Sequence, residues 1–146
     1  MYRVRNSELE FLLVHPDGPF WKGKDAGAWT IPKGEIGPDE DPLIAAKREF
    51  EEELGFKPQG QFIELTPIRQ KGGKTVRAWA FEGDCDPAQI RSNTFTLEWP
   101  PRSGRVYAFP EVDQAAFFNL NQASQKMNPA QIGFLTEVER GHRDGW

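Results

Sequence analysis

Cysteine is nearly absent. Cys85 stands alone, so no internal disulfide can staple the fold, and the composition suits a reducing, cytosol-like compartment. Histidine occurs only at His15 and His142; neither has a recognisable nucleophile beside it, and His15 reads as a strand-end residue. Positive charge is also in short supply. Eighteen Lys and Arg face 22 Asp and Glu, a net charge of −4, which excludes the broad basic surface that a nucleic-acid polymer requires. A small anionic substrate remains open, provided metal ions and local cations offset the repulsion. No apolar run is long enough to span a membrane, and residues 1–10 are charged and polar, without the apolar centre of a signal peptide. A soluble cytoplasmic protein is expected. Repeats, low-complexity tracts and linkers are missing too, so 146 residues with 38% hydrophobic content describe one domain, 1–146. Monomer and homodimer are both open.

The chain does carry legible local signals. Residues 9–14 form a short apolar run closed by His15-Pro16-Asp17-Gly18 and read as a buried strand. Trp29-Thr30-Ile31 is a brief extended piece leading to Pro32-Lys33-Gly34. Asp41 is a suitable N-cap and Pro42 a suitable first helical residue, so a helix is predicted over 43–54, stopped by Gly55. Strands over 61–69 and 75–81 are joined through Lys71-Gly72-Gly73-Lys74 as a hairpin. A helical turn is predicted at 87–91, strands at 94–99 and 115–120, and helices at 121–127 and 129–140. This order predicts an α/β layered domain with a mixed β-sheet.

On the predicted helix, at about 100° per residue, Leu43, Ala46, Phe50 and Leu54 share one stripe, which is expected to face the sheet. Glu49, Glu52 and Glu53 share a neighbouring stripe, while Glu51 points away. Like charges one turn apart disfavour each other, and a divalent cation removes that cost. Clustered hard oxygens suit Mg²⁺ or Mn²⁺.

The spacing is specific. Gly34 is followed by Glu40, then by Arg48-Glu49, Phe50, Glu52-Glu53, Gly55 and Phe56. The stretch from Gly34 to Phe56 resembles the Nudix box at every charged and glycine position; only Phe50 and Phe56 are aromatic where aliphatic residues are more usual. The resemblance implies an α/β/α sandwich in which box glutamates bind metal. By position these are Glu49, Glu52 and Glu53, with the Gly34 carbonyl as a further ligand; Arg48 is similar to the arginine that orients a box glutamate, and Glu40 to the glutamate that supports the loop. The implied reaction is substitution by water at phosphorus in a nucleoside diphosphate linked to a further group. Catalytic roles fall to Arg48, Glu49, Glu52 and Glu53.

Family members commonly add a loop carboxylate from outside the box. Glu111, after Pro110 and before the strand ending at Phe117-Phe118, is the best placed of the downstream acids, ahead of Glu98. Trp29 to Gly34 resembles the W-x-x-P-K-G lead-in of Nudix enzymes acting on dinucleoside polyphosphates and on some oxidised nucleoside triphosphates, so Trp29 is a candidate for stacking a base and Lys33 for meeting phosphate. Lys22, Lys24, Lys71, Lys74 and Arg77 can add to a cationic funnel. The subfamily tyrosine beyond the box is missing, as are the ADP-sugar proline and the NADH and coenzyme-A motifs. A non-catalytic nucleotide-sensing or partner-binding module is the alternative, but such modules usually lose box glutamates and none is lost here. Isopentenyl diphosphate isomerase chemistry lacks its cysteine.

Overall fold

A computed structural model describes residues 1–34, 37–70 and 72–146. The core is built on one strand. Residues Glu8–Pro16 form β2, preceded by β1, Tyr2–Arg5, and paired on its other side with the strand Val112–Asn119. All three run antiparallel, in the order β1, β2, 112–119. The first strand escaped the sequence reading. Arg5 pairs with Glu8 across Asn6 and Ser7, both at positive φ (54° and 62°), the two-residue geometry that matches strand twist. Its charged positions are held laterally: Arg3 bonds Glu10 and Asp84, each at 2.8 Å, and lies over the Phe117 ring.

The apolar run of β2 is buried on both faces. Phe11 and Leu13 belong to one core cluster with Phe134, Leu135 and Val138, whereas Leu12 and Val14 join Phe50 and Leu54 in another. This alternation is the period-2 geometry of a strand sandwiched between helices. One helix layer is α1, Pro42–Leu54. The opposite layer holds α2, Leu120–Lys126, and α3, Ile132–Arg143. The fold is therefore mixed α/β in three layers, as expected.

The two glycines at 72 and 73 do take positive φ and close the expected hairpin, although its ladder is interrupted. Two short pairs form it: β3, Ile63–Glu64, with β6, Trp79–Ala80, and β4, Ile68–Arg69, with β5, Thr75–Val76. The chain beyond β6 then runs parallel to β1 through Tyr2 and Glu82, which makes the sheet mixed. A second hairpin joins β7, Thr94–Glu98, to β8, Val106–Pro110; Val112–Asn119 is thus β9, beginning three residues earlier than predicted. The terminal helix starts as a 3-10 turn, Pro129–Gln131, and continues through α3 to Arg143. No helix among the described residues is long and apolar enough to cross a membrane.

Candidate active site

Helix α1 begins and ends where its sequence dictates. The Asp41 carboxylate accepts from the Leu43 and Ile44 N–H groups, each at 3.1 Å, and Gly55 caps the other end at φ 86°. A side chain at Gly55 would also press on the Arg91 carbonyl, 2.7 Å from a Cβ. The contact is part of a seam: Arg91 N–H donates to the Leu54 carbonyl and Asn93 N–H to that of Glu52, at 3.0 and 2.7 Å. Carbonyls left over at the helix end are thereby satisfied, and the entrance to β7 is fixed against α1.

That seam brings in Glu111. Its N–H donates to the Asn93 carbonyl at 2.8 Å, and its own carbonyl accepts from Asp17 at 3.2 Å. The expected loop is in fact a single bend between β8 and β9. Carboxylate oxygens of Glu49, Glu52 and Glu111 lie within 4.8 Å of one another. Three hard, mutually repelling donors fit Mg²⁺ or Mn²⁺. Burial raises the carboxyl pKa of Glu49, and the Glu52 and Glu111 charges add to it against the pull of Arg48. Glu111 is likewise raised, first by burial and then by Glu52.

Glu53 takes a different position from the one helical geometry alone implied. It is only 8% exposed and accepts from the Lys33 N–H at 2.9 Å. Burial pushes its pKa up to about 8 despite that bond and the Lys33 charge. Among the described residues it stands beside the close trio, not in it.

Arg48 binds the acids together. It reaches Glu40 through two bonds, at 2.8 and 3.0 Å, and Glu49 and Glu52 at 2.9 and 3.1 Å. Glu40 accepts in addition from Gly37 N–H at 2.9 Å, and with Arg48 as the first cause its pKa falls to about 2. A Cβ at Gly34 would overlap the Glu49 carboxylate, so a larger residue there would displace that acid from its present place. Glu52→Gln should therefore cost most of the turnover while Glu51→Gln, whose side chain leaves the cluster, stays within twofold; equal losses in folded variants would refute this division of α1.

Two other expectations change. Trp29 does not present a face to solvent: it is 4% exposed, donates to Asp25 at 2.8 Å, and packs edge-on against His15 and Phe118. Its role is core and loop anchor, so the base-stacking expectation is withdrawn. His15, at the end of β2 as expected, bonds Asp113 and the Lys24 carbonyl, at 2.9 and 2.6 Å, and pins the same loop. The α1 stripe also divides. Phe50 and Leu54 pack against Leu12 and Val14 of the sheet, while Leu43 and Ala46, together with part of Phe50, line a cavity of about 620 Å³ between α1, the 63–81 segment and α3. Lys33, Gly34, Lys74 and Arg77 line it as well. Arg77 is paired with Glu64 at 2.6 Å; Lys24 lies over the Trp21 ring instead, and Lys71 falls outside the described residues. Lys47 in the same wall was not singled out, although it sits one helical turn beyond Leu43.

Comparison with known proteins identifies the family and the fold. The NUDIX domain family matches residues 1–138, and the chain belongs to that family. Bis(5'-nucleosyl)-tetraphosphatase (asymmetrical) of Rattus norvegicus is 33% identical over 95 residues, 61% of this chain and 60% of that protein; the chain thus spans about three fifths of that relative's length. Among solved structures, a C. elegans Ap4A hydrolase binary complex superposes with a TM-score of 0.65 at 22% identity, covering 99% of this chain and 95% of the other. The NUDIX domain of Shewanella oneidensis NrtR, complexed with ADP ribose, gives 0.61 at 14% identity, covering 98% and 82%.

Proposed function

We propose that the protein is a metal-dependent Nudix pyrophosphohydrolase that cleaves a phosphoanhydride bond in a dinucleoside polyphosphate or a nucleoside triphosphate. The observation carrying this reading is the convergence of Glu49, Glu52 and Glu111 within 4.8 Å. The adjacent cavity, with Lys33 and Lys74 in its lining, has a volume and charge suited to a nucleotide. Intact box acids weigh against a merely nucleotide-sensing module.

Glu49 and Glu52 would hold the cation, with Glu53 and the Gly34 carbonyl beside them. When bound, Mg²⁺ or Mn²⁺ supplies Lewis-acid polarisation of phosphoryl oxygens and lowers the pKa of water. The chain does the rest. Arg48 keeps Glu49 and Glu52 oriented through its bonds and is itself anchored on Glu40. Lys33 offers its ammonium to the phosphate chain as a point charge. Glu111, its pKa raised by burial and by the Glu52 charge, is suited to take the proton from attacking water.

Assays with Mg²⁺ or Mn²⁺ should show diadenosine tetraphosphate or a nucleoside triphosphate cleaved with at least tenfold higher kcat/KM than ADP-ribose, and EDTA should abolish turnover. ADP-ribose preferred tenfold, or turnover surviving EDTA, would refute the proposal.

A further inference from the structure

Large apolar side chains are exposed unevenly. Phe20, at 56%, and Trp21, at 39%, lie on the segment after β2; Tyr107, at 47%, lies on β8. The two places meet. Phe20 packs edge-on against Trp99 with ring centroids 5.1 Å apart, and Gly18 sits so close to the Phe95 ring that a Cβ would be 3.3 Å from it. Register places Phe95 opposite Phe109 and Leu97 opposite Tyr107. Side chains directly opposite share a face, so Phe95, Leu97, Tyr107 and Phe109 form one side of the hairpin, and the rings of Tyr107 and Phe109 are 6.4 Å apart.

This aromatic face is continuous with the acid cluster. Glu111 immediately follows β8, and the loop bearing Phe20 starts at Asp17, whose N–H bonds the Glu111 carbonyl. The hairpin tip adds exposed Arg102 and Arg105, and the loop adds Lys22 and Lys24. Cations beside exposed rings are the combination that takes a base and its phosphates. The cavity lined by Lys33 and Gly34 adjoins the cluster at Glu49, whose carboxylate faces Gly34, whereas the hairpin joins it through Glu111, whose N–H bonds the Asn93 carbonyl.

We infer that the face formed by Phe20, Tyr107 and the β7–β8 hairpin binds the second nucleoside of a dinucleoside polyphosphate whose first nucleoside occupies the cavity. The inference rests on the hydrolase reading for its choice of substrate. It explains why the rings stay exposed: their partner is a base, stacked only while the phosphate chain crosses the acids. One nucleoside is then held at each of two places, of which a nucleoside triphosphate fills only one.

The test uses the full chain. With Mg²⁺, Phe20→Ala and Tyr107→Ala should each lower kcat/KM for diadenosine tetraphosphate at least tenfold relative to that for ATP, chiefly through KM, and Tyr107→Phe should restore the ratio. Val4→Ala, an exposed apolar change on β1, should leave the ratio as it was. Binding of diadenosine tetraphosphate is measured in parallel by tryptophan fluorescence in a Glu111→Gln background, where a tenfold weaker Kd is expected for Tyr107→Ala. Unchanged ratios together with an unchanged Kd would overturn the inference while leaving the hydrolase reading intact. A weakened Kd in a protein that hydrolyses neither nucleotide would sustain the second nucleoside site and refute the hydrolase reading. If the alanine variants instead dissolved a wild-type dimer without altering Kd, the face would belong to a second copy of the chain.

Discussion

Glu111→Gln should lower kcat by about a hundredfold or more, within the range that a general base typically contributes, and leave the thermal midpoint within a few degrees. The side chain is half-buried and its backbone bonds to Asn93 and Asp17 do not depend on the carboxylate, so the fold has little to lose. Its proton-accepting form disappears as pH falls through its raised pKa, and the acidic limb of the wild-type pH-rate profile should report that loss. In the glutamine variant the limb should flatten or move. Glu98→Gln is the matched control. Glu98 accepts from the Arg102 N–H at 2.7 Å near the hairpin tip, away from the trio, and its replacement should cost no more than twofold. Wild-type turnover in Glu111→Gln would remove Glu111 from the chemistry.

The second large effect concerns stability without metal. In EDTA, Glu53→Gln should leave stability unchanged near pH 4 and raise it by on the order of 3–5 kcal/mol at pH 9. Unfolded, the Glu53 carboxyl titrates near 4.5; folded, it does so near 8. Below both values the group is neutral in either state and contributes no difference. Between them the unfolded chain gives up a proton that the folded chain retains, so wild-type stability falls as pH rises and reaches its full penalty above about 8. Glutamine keeps an oxygen for the Lys33 N–H and cannot ionise. Urea midpoints taken across that window should diverge; parallel curves for the two proteins would mean that Glu53 pays no burial penalty.

Local punctuation made much of this fold readable. Asp41, Pro42 and Gly55 state where α1 starts and stops in backbone terms, and Gly72-Gly73 states where the chain reverses. The unbroken Phe11 to Val14 run already reads as a strand covered on both sides. The first strand was hidden because its turn uses Asn6 and Ser7, in place of a glycine, at positive φ, and because Arg3 and Arg5 make the segment look like a solvated terminus. The acids of the box share a helix face by periodicity, yet which of them meet is a tertiary matter. Desolvation and the Lys33 N–H draw Glu53 aside, and the seam through Asn93 brings Glu111 into its place. Trp29 was misjudged for a similar reason: a lead-in motif gives a residue's position along the chain, not which neighbours enclose its ring.

The single bend between β8 and β9 limits how such a chain can change length. Side chains alternate along a strand, so one residue inserted between Phe109 and Val112 would turn the Glu111 carboxylate to the opposite side of the hairpin or break the ladder to Asn93. An insertion at residues 99–105 has no such effect, because the added chain loops outward and the pairing of Thr94 with Pro110 survives. Insertions and deletions should accordingly be tolerated at the far end of the hairpin and rejected at its root, where the count of residues decides which way an acid points.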